Sequence, residues 1–415
     1  MSGKTTIFDP IVFLSRPLIS TPLILLASVL KPVDDPRMTG KLARTLAVMG
    51  IRVAVAGQAS RVPASTPATG AAINQHPIFR GGRLSWARLA AQGRYWRLLR
   101  RRRPALVIVG APELLPLTLL WQRLGRGRVF LYDIRENYAL NVRTQGVYGG
   151  LVRQALAAGL RWVEGRAARA AAAVLLAEAS YADELPFLWA LPAGQVLVLE
   201  NKYQPAPDEV LPTTARARPA PTEPLRLLYS GTISVLNGVR EAVALTRALR
   251  GVWPGGAELT IIGFCQQPDL LVELQAMAAE AGWLTLIGGA ELVPHGRIVA
   301  EIGRAHLGLL PYQPHPSTWR CRPTKLFEYL AHGLPVLVPD NPLWTELVNT
   351  HGAGLTVDFG APEATTERLA RALPTAAFYP AGPPTDAVLW AGEGKKLGAL
   401  LESLGLNPTF TPASA

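Results

Sequence analysis

Short apolar runs recur along this chain between segments of helical periodicity, and the pattern is played out twice, on either side of a proline-rich break. In the first half, residues 23–29, 51–57, 105–109, 128–132, 173–176 and 196–199 read as strands, with helical segments near 39–49, 84–100 and 149–169. Residues 204–224, QPAPDEVLPTTARARPAPTEP, are poor in apolar side chains and have no periodicity, so they read as a linker. The alternation then restarts with strands at 225–229, 257–262, 284–287, 307–310 and 334–338. Strands that alternate with helices are accommodated by a parallel sheet covered on both faces. The expected class is therefore α/β, with two doubly wound Rossmann-like domains facing across a cleft. Ligands of such sheets sit outside the carboxyl ends of the strands. The expected boundaries are 1–203 for the first domain, 204–224 for the linker and 225–380 for the second. A helix at 381–404 packs back on the first domain, and 405–415 form a tail.

With 415 residues, 49% hydrophobic and 17% charged, the chain has the means for a large core and is not of disordered composition. Cys265 and Cys321 are too few for a disulfide framework or a four-thiolate metal site, and they suggest a reducing compartment. The longest apolar stretch, residues 18–30, is interrupted by Pro22 and falls short of the roughly 20 residues that span a bilayer. It also lacks the features of a signal peptide. Charge is unevenly placed. Residues 1–220 hold 29 Lys and Arg against 13 Asp and Glu, a net of +16, whereas residues 221–415 carry a net of −4. That polarity calls for an acidic partner of the first half: a membrane surface, a polyanion or a phosphorylated substrate.

Residues 322–342, RPTKLFEYLAHGLPVLVPDNP, read as helix, stop, strand and turn. Pro323 suits a first helical turn, Gly333 a helix end, and Pro339 to Pro342 a turn. Lys325 and Glu328 stand out as charges three residues apart near the start of an otherwise apolar helix. A carboxylate there is favoured by the helix dipole, and a cation there stands beside backbone N–H groups that attract anions. The alternatives are a structural carboxylate and a solvated lysine.

Together with LRLLYSGTISVLNGVREAV and LTIIGF, this region resembles the nucleotide-sugar-binding half of glycosyltransferase family 4 (glycosyl transferases group 1), which has the two-domain GT-B fold. In the first half LKPVDDPRM, FLYDIREN and VLVLENKY also resemble segments of that family, in the same order. The resemblance implies an enzyme, a hexosyltransferase-like glycosyltransferase that moves a sugar from a UDP- or GDP-sugar to a glycan or lipid-linked acceptor. It implies a retaining, metal-independent reaction with no bound cofactor, in cell-surface polysaccharide or glycolipid synthesis. Glu328 matches the glutamate that accepts hydrogen bonds from the donor ribose, and Lys325 would hold the diphosphate. Gly231, Thr232 and Gly263 fall in the strand-end loops that approach the donor. The family often has a second glutamate eight positions before the first, where this chain has Arg320. It also has an arginine and a lysine where this chain has Thr232 and Asn237. Arg320, Arg322 and Lys325 are the expected substitutes for that cationic clamp. In the first half Asp133 and Glu136 are candidates to position the acceptor hydroxyl or to cap the next segment, and Arg135 stands where relatives have histidine. Asp34, Asp35 and Arg37 occupy the first loop, and GGAEL at 288–292 is a candidate base-contact loop or a plain turn.

His295, His306, His315, His332 and His351 have no metal-ligand spacing with cysteine or acid clusters, and no D-x-D triplet occurs, so no metal site is expected. Residues 83–103, RLSWARLAAQGRYWRLLRRRR, carry eight arginines with Trp86, Tyr95 and Trp96 among them. A basic amphipathic helix of this kind suits an anionic membrane surface. No nucleic-acid-binding module surrounds it. The expected location is cytoplasmic, peripheral on the inner face of the plasma membrane. Two other readings share the architecture: a nucleotide-sugar epimerase, which needs no acceptor, and a non-catalytic membrane- or polyanion-binding protein, which binds no nucleotide.

Overall fold

The structure, a computed structural model, describes residues 22–60, 73–82, 85–144, 149–217, 219–316 and 318–406. Of the expected features, residues 18–21, Arg83, Leu84 and most of the tail, 407–415, lie outside the described residues. The chain divides into two compact units, Met1–Pro207 with Trp390–Ala415, and Asp208–Leu389.

The first unit is built on seven parallel strands: β1 (Leu23–Pro32), β2 (Arg52–Gln58), β3 (Asn74–Phe79), β4 (Leu106–Val109), β5 (Val129–Ile134), β6 (Ala173–Leu176) and β7 (Val196–Val198). Their order is β3-β2-β1-β4-β5-β6-β7. Strand order reverses between β1 and β4, so the carboxyl ends of those strands open a crevice. β4 and β6 are runs of Leu, Ile, Val and Ala buried on both faces, and β1 is buried from 24 to 29, as a covered parallel sheet requires. The segment after β1 begins as a π-helix, Pro36–Ala43, capped by Asp35, whose side chain accepts from the Met38 N–H. It continues as an α-helix, Arg44–Val48. The C-terminal helix Trp390–Ser403 belongs to this unit. Its Trp390 indole donates to Thr45 Oγ1 at 2.8 Å, and its buried Glu393 pairs with Lys202 at 2.8 Å.

The second unit has six parallel strands: β8 (Leu225–Ile233), β9 (Ala257–Cys265), β10 (Leu284–Gly289), β11 (Leu307–Leu309), β12 (Val336–Val338) and β13 (Gly354–Thr356). The order β10-β9-β8-β11-β12-β13 puts the reversal between β8 and β11. One face of the sheet packs the helix Val239–Val252, whose Val239, Ala242, Val243, Leu245 and Leu249 are buried at helical spacing. Part of the proline-rich stretch lies against this unit: Glu209 pairs with His332 at 3.1 Å, and Arg216 donates to the Gly303 carbonyl at 2.7 Å. Among the described residues no helix is long and apolar enough to cross a membrane.

Candidate functional site

In the second unit three adjacent strands carry a glycine near their carboxyl ends. Gly231 of β8 pairs in register with Gly263 of β9, which pairs with Gly288 of β10. Gly231 has φ +112°, and a Cβ on Gly263 would overlap the Gly231 carbonyl. The row is therefore backbone without side chains, a floor on which a ligand can approach closely. Asn237 holds the loop beyond β8: its side-chain amide donates to the Thr232 carbonyl at 3.0 Å, and the Tyr229 hydroxyl donates to the same oxygen at 2.9 Å.

The helix Thr324–Ala331 is docked on this floor by its own residues. Leu326, Phe327 and Leu330 are buried, and Gly333, at φ +60°, ends it in the left-handed conformation that glycine tolerates. The hydroxyl of Tyr329, next along the helix, accepts from the Ser230 N–H at 3.1 Å and lies 2.8 Å from Ser230 Oγ. That bond ties the helix to the last residue of β8 before Gly231. Lys325, one turn nearer the N-terminus, consequently lies across Gly231, where an added Cβ would stand 3.2 Å from Lys325 Cε.

Glu328 is 1% exposed. Lys325 Nζ donates to its Oε2 at 2.6 Å, and His295 Nε2 lies 2.6 Å from its Oε1. Burial alone would raise the Glu328 pKa. The Lys325 charge and the His295 bond outweigh it and hold the carboxyl down at about 2, so it is ionised at neutral pH. The partners are more accessible than the acid, at 18% for the Lys325 side chain and 46% for His295. His295 opens the helix His295–Arg304, which follows β10 and its GGAEL loop. The site thus offers a fixed carboxylate and two nitrogen donors beside bare backbone, close to a sheet's topological switch point.

Of the residues read from the sequence, Lys325, Glu328, Gly231 and Gly263 come together here. Thr232 contributes its carbonyl to the loop tether, and its side chain is exposed. Arg322 lies 3.6 Å from Glu346, with which it makes a loose ion pair. Arg320 is exposed on the same loop, whose backbone is pinned by Asn341 donating to the Trp319 carbonyl and Trp344 donating to the Cys321 carbonyl. A separate hollow of about 940 Å³ is lined by Tyr312, Trp319, Asp340, Asp358 and Arg368 among others, but by none of Lys325, Glu328 or Gly231. The Glu328 cluster is the candidate site, because it combines an ionised carboxylate with two basic side chains beside the strand-end glycines.

His295 was missed in the sequence, where histidines were weighed only as metal ligands. Its place, just after a strand-end glycine loop, is the one available signal. Among the described residues no group of three or more His, Cys, Asp or Glu is arranged to hold a metal ion.

In the first unit Asp133 ends up inside the protein, 0% exposed. Arg37 grips it through Nε and Nη2, the latter at 2.7 Å from Oδ1, and Arg135 Nε reaches Oδ2 at 2.8 Å. Arg135 also donates to Asp35 at 3.0 Å, and Arg37 to the Leu199 carbonyl at 2.9 Å. Burial opposes ionisation of Asp133, but the two guanidinium groups prevail and lower its pKa. Glu136 is partly exposed and accepts from Lys31 at 2.8 Å and from Asn141 at 3.0 Å. Asp34, exposed, accepts from Ser60.

Two parallel six- or seven-stranded Rossmann sheets in one chain, each with its strand order reversing at the centre, define the GT-B fold. The matches to solved structures agree. Sucrose-phosphate synthase from Thermosynechococcus elongatus superimposes with a TM-score of 0.63 at 14% identity, covering 93% of this chain and 99% of that one. HepE of Anabaena, solved in complex with UDP-glucose, gives 0.58 at 14% identity over 92% and 100%. WaaG, a glycosyltransferase involved in lipopolysaccharide biosynthesis, gives 0.59 at 14% identity over 92% and 97%. By sequence the chain is 29% identical over 185 residues to glycogen synthase of Mycobacterium tuberculosis H37Rv, which is 44% of this chain and 42% of that protein. The chain thus spans less than half the length of the curated relatives it matches. No family model matches.

Proposed function

We propose that this protein is a glycosyltransferase that takes a sugar from a nucleoside diphosphate donor, UDP-linked in the first instance, to a hydroxyl of a glycan or lipid-linked acceptor. The observation that carries the reading is the buried, ionised Glu328 held by Lys325 and His295 beside the glycine floor. A carboxylate fixed in this way has lone pairs left for the two ribose hydroxyls. Lys325, with His295 beside it, supplies a donor for the diphosphate, so charge developing on the departing group meets a fixed donor in a partly dry site. In this reading the chain's own cations do the work that a metal ion does in other transferases, and transfer is retaining. The first unit supplies the acceptor side, with Glu136 at the surface and Asp133 stiffening the strand end behind it. The protein works peripherally at an anionic membrane through the basic helix Ala87–Arg102. Complexes of HepE with UDP-glucose and the sequence likeness to a glycogen synthase support the donor class.

Titration with UDP, GDP, ADP and their glucose conjugates, read by calorimetry, tests the donor. Tight binding of one diphosphate, lost in Glu328→Ala, is expected. Product analysis with donor alone then separates transfer from epimerisation. Binding of no diphosphate at millimolar concentration sinks the transferase reading.

A further inference from the structure

Three helices lie side by side on one face of the first unit: Ala87–Arg102, Leu115–Arg123 and Gly150–Ala170. Tyr95 of the first lies 2.8 Å from Thr118 of the second, whose Gln122 donates to the Ala170 carbonyl of the third at 3.0 Å. Together they contain eleven arginines, no lysine and one carboxylate, Glu164, which is 0% exposed. Large apolar side chains point outward beside those arginines: Trp86 (86% exposed) just before the first helix, Leu89 on it, Leu120 on the second and Leu124 just beyond it.

The third helix is the most unusual. A helix that packs on a sheet turns its apolar stripe inward. Here Leu151 is 84% exposed, Val152 65% and Trp162 72%, while the inward positions hold Ala157, Glu164, Ala167 and Ala168. Leu151, Ala155 and Trp162 fall on one helical face with Val152 and Leu156 beside them. All are exposed. Further along, the same face carries the exposed Arg166 and Arg169. An outward face that is apolar for three turns and then basic matches the boundary between acyl chains and phosphate headgroups. Single exposed apolar residues are ordinary; a set of them along one helical face marks an interaction surface.

We infer that the N-terminal half of the helix Gly150–Ala170 inserts its Leu151–Trp162 face into an anionic bilayer, while the arginines of the three helices bind the lipid headgroups. This rests on the reading of the protein as a membrane-peripheral transferase and adds an apolar anchor to a contact that charge alone would hold weakly. The absence of any exposed carboxylate on the three helices favours an anionic surface. The apolar face favours a bilayer over a soluble polyanion, which offers nothing for leucine and tryptophan to bury.

The test uses the full chain and its triple variant Leu151→Ser/Leu156→Ser/Trp162→Ser, whose exposed positions leave the fold intact. Both are floated with vesicles of phosphatidylcholine alone or with about 30% phosphatidylglycerol, at about 0.1 M and about 0.5 M NaCl. The parent should float with the anionic vesicles and less so at high salt. The variant should lose roughly tenfold in bound fraction at unchanged circular dichroism and unchanged nucleotide affinity. A variant that floats like the parent overturns the anchor and leaves the basic-helix contact standing. A parent that ignores anionic vesicles overturns both, without touching sugar transfer to a soluble acceptor. Equal flotation with neutral vesicles, or retention of RNA with no flotation, overturns the assignment of an anionic bilayer.

Discussion

Each unit buries a carboxylate near its sheet's carboxyl edge, and each carboxylate is held ionised by two basic side chains. Asp133 sits between Arg37 and Arg135, Glu328 between Lys325 and His295. What differs is the other side of the cations. The Arg37 and Arg135 side chains are 5% and 7% exposed and spend their remaining donors on Leu199 and Asp35 inside the protein. Lys325 and His295 keep a side open to solvent. The first cluster is closed; in the second, solvent reaches the cations, as the proposed ligand site requires. The residue types follow. Arginine's planar fork suits a closed bidentate lock, and lysine's flexible point charge suits a site that must meet an anion from outside.

If that contrast is right, the largest effect belongs to the closed cluster. Arg37→Ala leaves Asp133 buried with one guanidinium instead of two. Removing one partner of a buried pair typically costs about 3–5 kcal/mol. Urea unfolding should show a loss of that size, assigned to the first unit by tryptophan-free probes placed there. A loss under about 1 kcal/mol would mean that Arg135 alone suffices and that the lock is not one.

Next in size is the response to pH, because the two units hold buried glutamates shifted in opposite directions. Glu328 is held at about 2 against an ordinary 4.5. The unfolded chain takes up that proton first, so its contribution is fully present above about pH 4.5 and is lost as pH falls toward about 2. The contribution is on the order of 3 kcal/mol. In the first unit Glu164 is driven up to about 7 by burial, against the pull of its Tyr132 hydrogen bond and of Arg161. Its contribution is fully present below about pH 4.5 and is lost as pH rises through about 7. Glu328→Gln should flatten the acid limb of the stability profile and Glu164→Gln the limb approaching neutrality. Parallel profiles for both variants and the parent would remove both assignments.

The sequence made the open cluster more legible than the closed one. Lys325 and Glu328 are one helical turn apart, so local spacing alone puts them together. Arg37 and Asp133 are separated by 96 positions and His295 and Glu328 by 33, distances that only the finished sheet spans. The same rule governs the strands. β4, β6 and most of β1 announce themselves as apolar runs because they are buried on both faces. β3, Asn74–Phe79, is an edge strand with exposed Asn74 and Pro77, a place where a strand tolerates proline. β13, Gly354–Thr356, is the opposite edge of the second sheet and has three residues. Neither carries an alternation long enough to read. The π-helical start at Pro36 is equally silent, since a helix one residue wider per turn leaves no separate mark in apolar spacing.

A third test separates the clusters by function rather than stability. Lys325→Ala should weaken diphosphate binding by the worth of a charge-assisted hydrogen bond, about 1.5–3 kcal/mol, or roughly 10- to 150-fold in Kd. Its effect on unfolding should be clearly smaller than that of Arg37→Ala, because water can reach the open side of Glu328's partners. Calorimetry and urea melts on the same two variants give the comparison directly. Two variants with the same stability loss and the same nucleotide affinity would erase the distinction between lock and site.

The smallest expected effect concerns Asn237, where the sequence resemblance leads one to expect a lysine. Its side chain does something else here: the amide donates to the Thr232 carbonyl and holds the loop against the floor at Gly231. Tyr229 bonds the same oxygen from the protein's interior, and Gly238, at φ +77°, packs so tightly that a Cβ would overlap the Pro311 carbonyl. The loop is thus restrained at both ends before Asn237 acts. Removing one neutral hydrogen bond costs about 0.5–1.5 kcal/mol, and part of that will be absorbed by Tyr229. Asn237→Ala should therefore lower stability by under about 1 kcal/mol and weaken nucleotide binding by at most about tenfold. Asn237→Lys should restore or exceed parental affinity, because an ammonium at this position would face the anion that Lys325 is proposed to hold. If Asn237→Lys binds more weakly than Asn237→Ala, the Asn237 side chain lies away from the diphosphate, and the open cluster is Lys325, His295 and Glu328 alone.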